Sequence, residues 1–144
     1  MKTIQLPESL IKSPTFLQKL LEVAVENNLE YQLVVRDARK TLSKLTEVGE
    51  GLVKGVHRIK CSVTQWPGTV LLEGTATLYL GKITQPWLQL TSGLCLDSFR
   101  QPELPEDLCL LKDGVPWLIT TTHENFAELI VPSDEIYEVF KQLL

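Results

Sequence analysis

Two histidines, three cysteines and one run of hydroxyl and acidic side chains are the residues of this chain with chemistry to offer. His123 and Glu124 stand side by side in the segment Thr120 to Asn125, Thr-Thr-Thr-His-Glu-Asn. A histidine beside a carboxylate has the groups for general acid–base work. The same six residues have the composition of a polar turn between strands, which is the plainer reading. His123 and Glu124 are therefore weak catalytic candidates, and no other catalytic residue is expected.

His57 and Cys61 lie four apart, a spacing that suits metal ligation from a helix. Their neighbourhood alternates like a strand, where four residues span roughly 13 Å. One ion bonded at about 2 Å to each ligand does not bridge that gap, so no metal site is expected. Cys61, Cys95 and Cys109 are widely spaced and form no CxxC pair. Their apolar neighbours predict buried free thiols in a reducing compartment. The stretch Gly49-Glu50-Gly51 to Gly55 resembles a phosphate loop only superficially, since neither GxGxxG nor GxxxxGK[ST] is satisfied. No GxSxG elbow is present. No cofactor is expected.

Surface recognition is the other source of function. Trp66, Trp87 and Trp117 each adjoin a proline. Exposed together they would form a binding patch or pocket rim; turned inward they are core. From Arg36 to Lys60 there are seven Lys or Arg and three acids, a balance of +4. Arg36, Arg39, Lys40 and Arg58 are the members singled out as a basic patch. From Glu103 to Glu138 the balance is −8. Such asymmetry marks an oriented interaction surface, or merely solvated faces that differ. The basic stretch lacks interleaved aromatics and the net charge is −4, which argues against nucleic acid.

These residues need a scaffold, and 144 residues supply one domain spanning 1–144. The start has no apolar core of signal-peptide length, and the longest unbroken apolar run is the four residues Leu108 to Leu111. A cytoplasmic protein that neither spans nor binds a membrane is expected.

The patterning is helix, then strands, then helix. Glu8 to Lys12 suggests a short helical turn. Ser13 and Pro14 start a helix with Phe16, Leu17, Leu20, Leu21 and Ala24 on one stripe, stopping at Asn27-Asn28. Tyr31 to Val35 reads as a strand. Asp37 is the expected cap of a helix with Ala38, Leu42 and Leu45 on one face, ending near Gly49 and Gly51; an ordered basic loop is the alternative. From Leu52 the period becomes two, with Ile59, Cys61 and Val63 on one side. Trp66-Pro67-Gly68 is a turn. Thr69 to Leu80 reads as one long strand, Gly81-Lys82 as a hairpin turn and Ile83 to Leu90 as the returning strand, with Pro86 at an edge or bulge. Leu94 to Leu96 suggests another strand. Leu108 to Leu111 and Val115 to Thr121 flank an Asp113-Gly114 turn, and Phe126 to Val131 follows. Ser133 caps a final helix carrying Ile136, Val139, Phe140, Leu143 and Leu144.

The expected fold is α+β: a largely antiparallel β-meander of about six or seven strands, with N- and C-terminal helices packed on one face. The function read from these residues is a non-catalytic protein-binding or regulatory module. Its partner would be another protein or a second copy in a homodimer, met at an exposed edge near Pro86 or Pro116. The alternative is a protein that holds a small apolar ligand between a curved sheet and the helices. An enzyme using His123 and Glu124 ranks third.

Overall fold

A computed structural model describes residues 2–144 of the chain. The first strand, β1 (Lys2–Gln5), is followed by α1 (Glu8–Ile11) and α2 (Pro14–Glu26). Ser13 caps α2, its Oγ accepting from the Phe16 N–H at 3.1 Å. Such a cap is worth about 1 kcal/mol. The stripe of Phe16, Leu17, Leu20, Leu21 and Ala24 is buried, as its spacing demands. Next come β2 (Glu30–Arg36), α3 (Ala38–Thr41), a 3-10 turn (Leu42–Lys44) and α4 (Glu47–Lys54). Strand β3 (Arg58–Val63) leads into the small hairpin of β4 (Gln65–Trp66) and β5 (Thr69–Val70). Strand β6 (Ala76–Lys82) and α5 (Gln85–Thr91) precede β7 (Glu106–Lys112), β8 (Val115–Thr121) and β9 (Phe126–Val131). Helix α6 (Asp134–Lys141) follows, capped by Ser133.

Seven strands form one antiparallel sheet in the order β1-β9-β8-β7-β2-β6-β3. Strands β7, β8 and β9 make the consecutive meander, and β7 is central. Its run Leu108 to Leu111 is apolar throughout because both faces of a central strand are covered. Asp113 and Gly114 both take positive φ, the pair of conformations a tight hairpin between right-twisted strands requires. The main core lies on the helix side of the sheet and draws Ile11 from α1, Leu17 from α2, Leu52 from α4, Trp87 from α5 and Phe140 from α6. The opposite side carries a smaller core of Val34, Trp66, Ala76, Leu78, Leu80, Cys109 and Leu111. Only the β4–β5 hairpin supplies its covering aromatic, Trp66. No helix among the described residues is long and apolar enough to cross a membrane.

Several local expectations are corrected. Gly49 and Gly51 do not end a helix; they lie inside α4, whose cap is Thr46, with Oγ1 accepting from the Gly49 N–H at 3.2 Å. Asp37 sits at φ 51 and makes no side-chain cap. Leu52 to Lys54 is helix rather than strand. The span Thr69 to Leu80 is broken: β5 ends at Val70, Gly74 takes φ +77, and β6 begins at Ala76. Gly81-Lys82 completes β6 instead of turning. Ile83 to Leu90 is mostly α5, not a strand. Thr84 caps this helix through the Trp87 N–H at 3.3 Å, and Pro86 sits in the first turn, where no N–H is needed. Leu94 to Leu96 yields a 3-10 turn at Leu96–Ser98. Strand β1 was not anticipated, because four residues carry little periodicity. It pairs with β9 from Lys2 opposite Val131 to Gln5 opposite Glu128.

The two ends of α4 make opposite demands on glycine. A Cβ at Gly49 would stand 2.6 Å from the Glu103 carbonyl oxygen, whereas one at Gly55 would meet nothing within 4 Å. Gly55 also has an ordinary φ of −92. Gly49→Ala is expected to lose about 1–3 kcal/mol despite its better helix propensity. Gly55→Ala should gain about 0.4–1 kcal/mol by restricting the unfolded chain. Urea unfolding midpoints at constant slope check both signs.

Candidate binding surface

Strand β3 is the last strand of the sheet and, among the described residues, pairs only with β6, with Ile59 opposite Tyr79 and Lys60 opposite Leu78. Ordinary edge strands bury one face. Here Arg58, Ile59, Lys60, Cys61 and Ser62 are all exposed, and only Val63 is half-buried. The apolar side of the alternation is present in the sequence but nothing lies on it: Ile59 is 52% exposed. The register shifts between Lys60 and Val63, and Ser62 takes φ 54. Cys61 and Ser62 together stand against Thr77 alone, and this one extra residue bends the end of the strand. The segment that follows adds Val70 and Leu72, exposed at 70% and 97%.

The basic residues divide. Arg39 and Lys40 of α3 line a concavity of about 430 Å³ with Asp37, Cys61, Thr75 and Thr77. Arg58 and Lys60 stand on β3 itself. Arg36 does not join them. Its Nε lies 2.5 Å from Glu106 Oε1, its Nη2 lies 3.8 Å from Asp107 Oδ2, and its guanidinium covers the Trp66 ring at 5.4 Å. Cys61 is exposed and Cys95 half-buried, so the expectation of three buried thiols holds only for Cys109. Burial pushes the Cys109 thiol up to about 12.

Arg36 belongs to the anchor that holds the β4–β5 hairpin across the sheet. Asp107 is fully buried at φ 54 in a bulge of β7. Its Oδ2 accepts from Trp66 Nε1 at 3.1 Å, and its Oδ1 accepts from the Thr122 N–H at 2.9 Å. The hairpin tip reaches β8, where Thr121 Oγ1 donates to the Gly68 carbonyl at 3.3 Å. A Cβ at Gly68 would lie 2.7 Å from the Ile119 side chain, and φ there is +92, so only glycine fits. The anchor was invisible in the sequence because its members are distant. The only local signal is the acidic pair Glu106-Asp107 directly before an apolar run.

The three tryptophans have separate duties. Trp87 stacks on Tyr31 with centroids 4.4 Å apart and donates from Nε1 to the Leu52 carbonyl at 3.2 Å. Trp117 meets Phe140 edge-on at 6.1 Å. Trp66 joins the anchor. Their exposures are 4%, 6% and 6%, so they form no exposed rim. Trp87 and Tyr31 line a depression of about 230 Å³ between α4, α5 and β6, below the range of about 300–1,000 Å³ usual for small-ligand sites. Pro86 lies in α5, and Pro116 lies on β8, opposite Leu111 of the central strand. Neither marks a free edge. His123 and Glu124 occupy the turn before β9, with Nε2 and Oε1 3.9 Å apart and both side chains about half exposed or more. His57 pairs with Glu30 at 2.8 Å. No group of three or more His, Cys, Asp or Glu among the described residues is placed to hold a metal ion.

Burial raises the Glu106 carboxyl above its ordinary value of 4.5, against the opposing pull of Arg36. The folded state then holds a proton that the unfolded state has released, so this contribution to stability is full below 4.5 and is lost as pH rises through the folded value. Glu106→Gln should abolish that loss. Urea midpoints of both proteins from about pH 4 to about pH 7 are expected to diverge across this window; parallel curves would sink the assignment. Comparison of the chain with protein-family models, curated proteins and solved structures finds no match, so a reading of its function rests on these residues alone.

Proposed function

We propose that the protein is a non-catalytic binding module that engages a partner polypeptide along β3. The supporting observation is a six-residue edge strand exposed on both faces, with Ile59 among the exposed side chains. An open strand offers a row of backbone donors and acceptors, and proteins ordinarily cover, shorten or charge it. Arg58 and Lys60 charge this edge, and the bulge at Ser62 shortens it. Those devices limit indiscriminate pairing and still leave Ile59 and the outer backbone groups available. The opposite edge, β1, is only four residues long. Strand addition therefore has one well-formed site.

The exposed Cys61 gives direct access to this edge. A photo-crosslinker attached to Cys61 in a Cys95→Ala background should capture a discrete partner from extracts of the source cells. Ile59→Glu, a surface substitution, should reduce that capture at least tenfold while leaving the unfolding midpoint within about 0.5 kcal/mol of the parent. A clean monomer by light scattering with no Ile59-dependent adduct would refute the reading.

A further inference from the structure

We infer that the segment received by β3 is an extended strand of another protein in which acidic and apolar residues alternate. The inference rests on the reading of β3 as a docking edge and adds the chemistry of its occupant. Side chains alternate across a strand, so Arg58 and Lys60 project from one face and Ile59 from the other. Arg58 is opposite Leu80 and Lys60 opposite Leu78, both members of the smaller core, which places the two cations on the hairpin side of the sheet. Ile59 is opposite Tyr79, on the helix side. A strand added outside β3 would set its residues directly against these three. Acidic residues two apart would face Arg58 and Lys60, and the apolar residue between them would face Ile59. The nearby charges are mixed but favour an anion: Arg39 and Lys40 are exposed beside Asp37 in the adjoining concavity.

A second copy of this chain fits poorly. Two β3 strands related by a two-fold axis pair antiparallel with like faces together. That arrangement gathers Arg58 and Lys60 from both copies on one face, four cations with no acid between them. Pairing of β3 with the far edge of another copy is no better. Strand β1 reads Lys-Thr-Ile-Gln and brings no carboxylate. Half of the 18 acids of the chain lie instead between Glu103 and Glu138, most of them in strands already paired and in α6.

The test uses the full chain and a fluorescent peptide of alternating Glu and Val, matched in length to β3. Binding by anisotropy is expected, weakening as salt rises. A peptide of the same composition with the three Glu and three Val in blocks should bind at least tenfold more weakly. So should an alternating peptide N-methylated on the residues that would donate to β3, since strand pairing needs those N–H groups. Arg58→Glu with Lys60→Glu should lose the acidic peptide and gain an alternating Lys and Val peptide. Both positions are exposed, and circular dichroism confirms that the variant folds. Equal affinity for the block or N-methylated peptide would overturn strand addition. Binding of a single-stranded oligonucleotide in place of the peptide would also overturn the inference and assign the cations to phosphates. If no acidic peptide binds but the Cys61 crosslinker still captures an Ile59-dependent partner, the acidic-strand inference falls and the docking edge stands. If both fail, both fall.

Discussion

Everything outside the helix layer depends on one buried carboxylate. All the sizeable helices are committed to one side of the sheet, so the other side must be closed by a two-stranded hairpin too small to be stable alone. Asp107 makes that closure hold. It accepts from the Trp66 indole above it and from the Thr122 backbone beside it, and Arg36 lies against both the carboxylate and the indole. Removing one partner of a buried charge typically costs 3–5 kcal/mol, because the remaining charge is left unpaired. The hairpin is thereby pinned over the middle of the sheet, across to β8. With the hairpin there, the smaller core reaches only Val63 of β3 and leaves Arg58 to Ser62 bare.

The helix side is joined differently. The Leu52 carbonyl accepts from Tyr31 Oη at 3.0 Å and from Trp87 Nε1 at 3.2 Å. One backbone oxygen of α4 thus ties that helix to β2 and to α5. Desolvation raises the Tyr31 phenol to about 12, so it stays a neutral donor at any ordinary pH. Each side of the sheet is therefore locked by an aromatic ring that carries its own donor. This explains why Trp66 and Trp87 are buried although each sits beside a proline: indole fills volume and also satisfies a buried acceptor, whereas Trp117 contributes packing against Phe140.

Elements whose signals are local were legible in the sequence. Ser13 and Pro14 announce α2, Asp113-Gly114 announces the central hairpin, and Ser133 announces α6. The errors come where two local patterns compete. Ile83 to Leu90 follows an apparent hairpin turn and sets Pro86, Leu88 and Leu90 at alternate positions, yet Thr84 and Pro86 are also a helix start, and Trp87 and Thr91, four apart, are buried on that helix. Thr69 to Leu80 alternates convincingly, but Gly74 interrupts it. The candidate surface was half legible. Arg39, Lys40 and Arg58 are visible as charges, while the diversion of Arg36 requires Glu106 and Asp107, some seventy residues away. Alternation in β3 predicts that Ile59, Cys61 and Val63 share a side, but the extra residue at Cys61 and Ser62 sets Val63 opposite Ala76, against the smaller core, and leaves Ile59 facing the other way.

The pairing of β1 with β9 has a consequence for how this domain can be carried within a larger assembly. It joins Lys2 to Val131, and the Lys2 ammonium also rests over the Tyr137 ring of α6. Lys2 and Tyr137 are thereby gathered at one border of the sheet. Strand β3 forms the other border, six strand spacings or about 29 Å away. A tag or tether attached ahead of β1 would hang from the side opposite β3, leaving the open strand unobstructed.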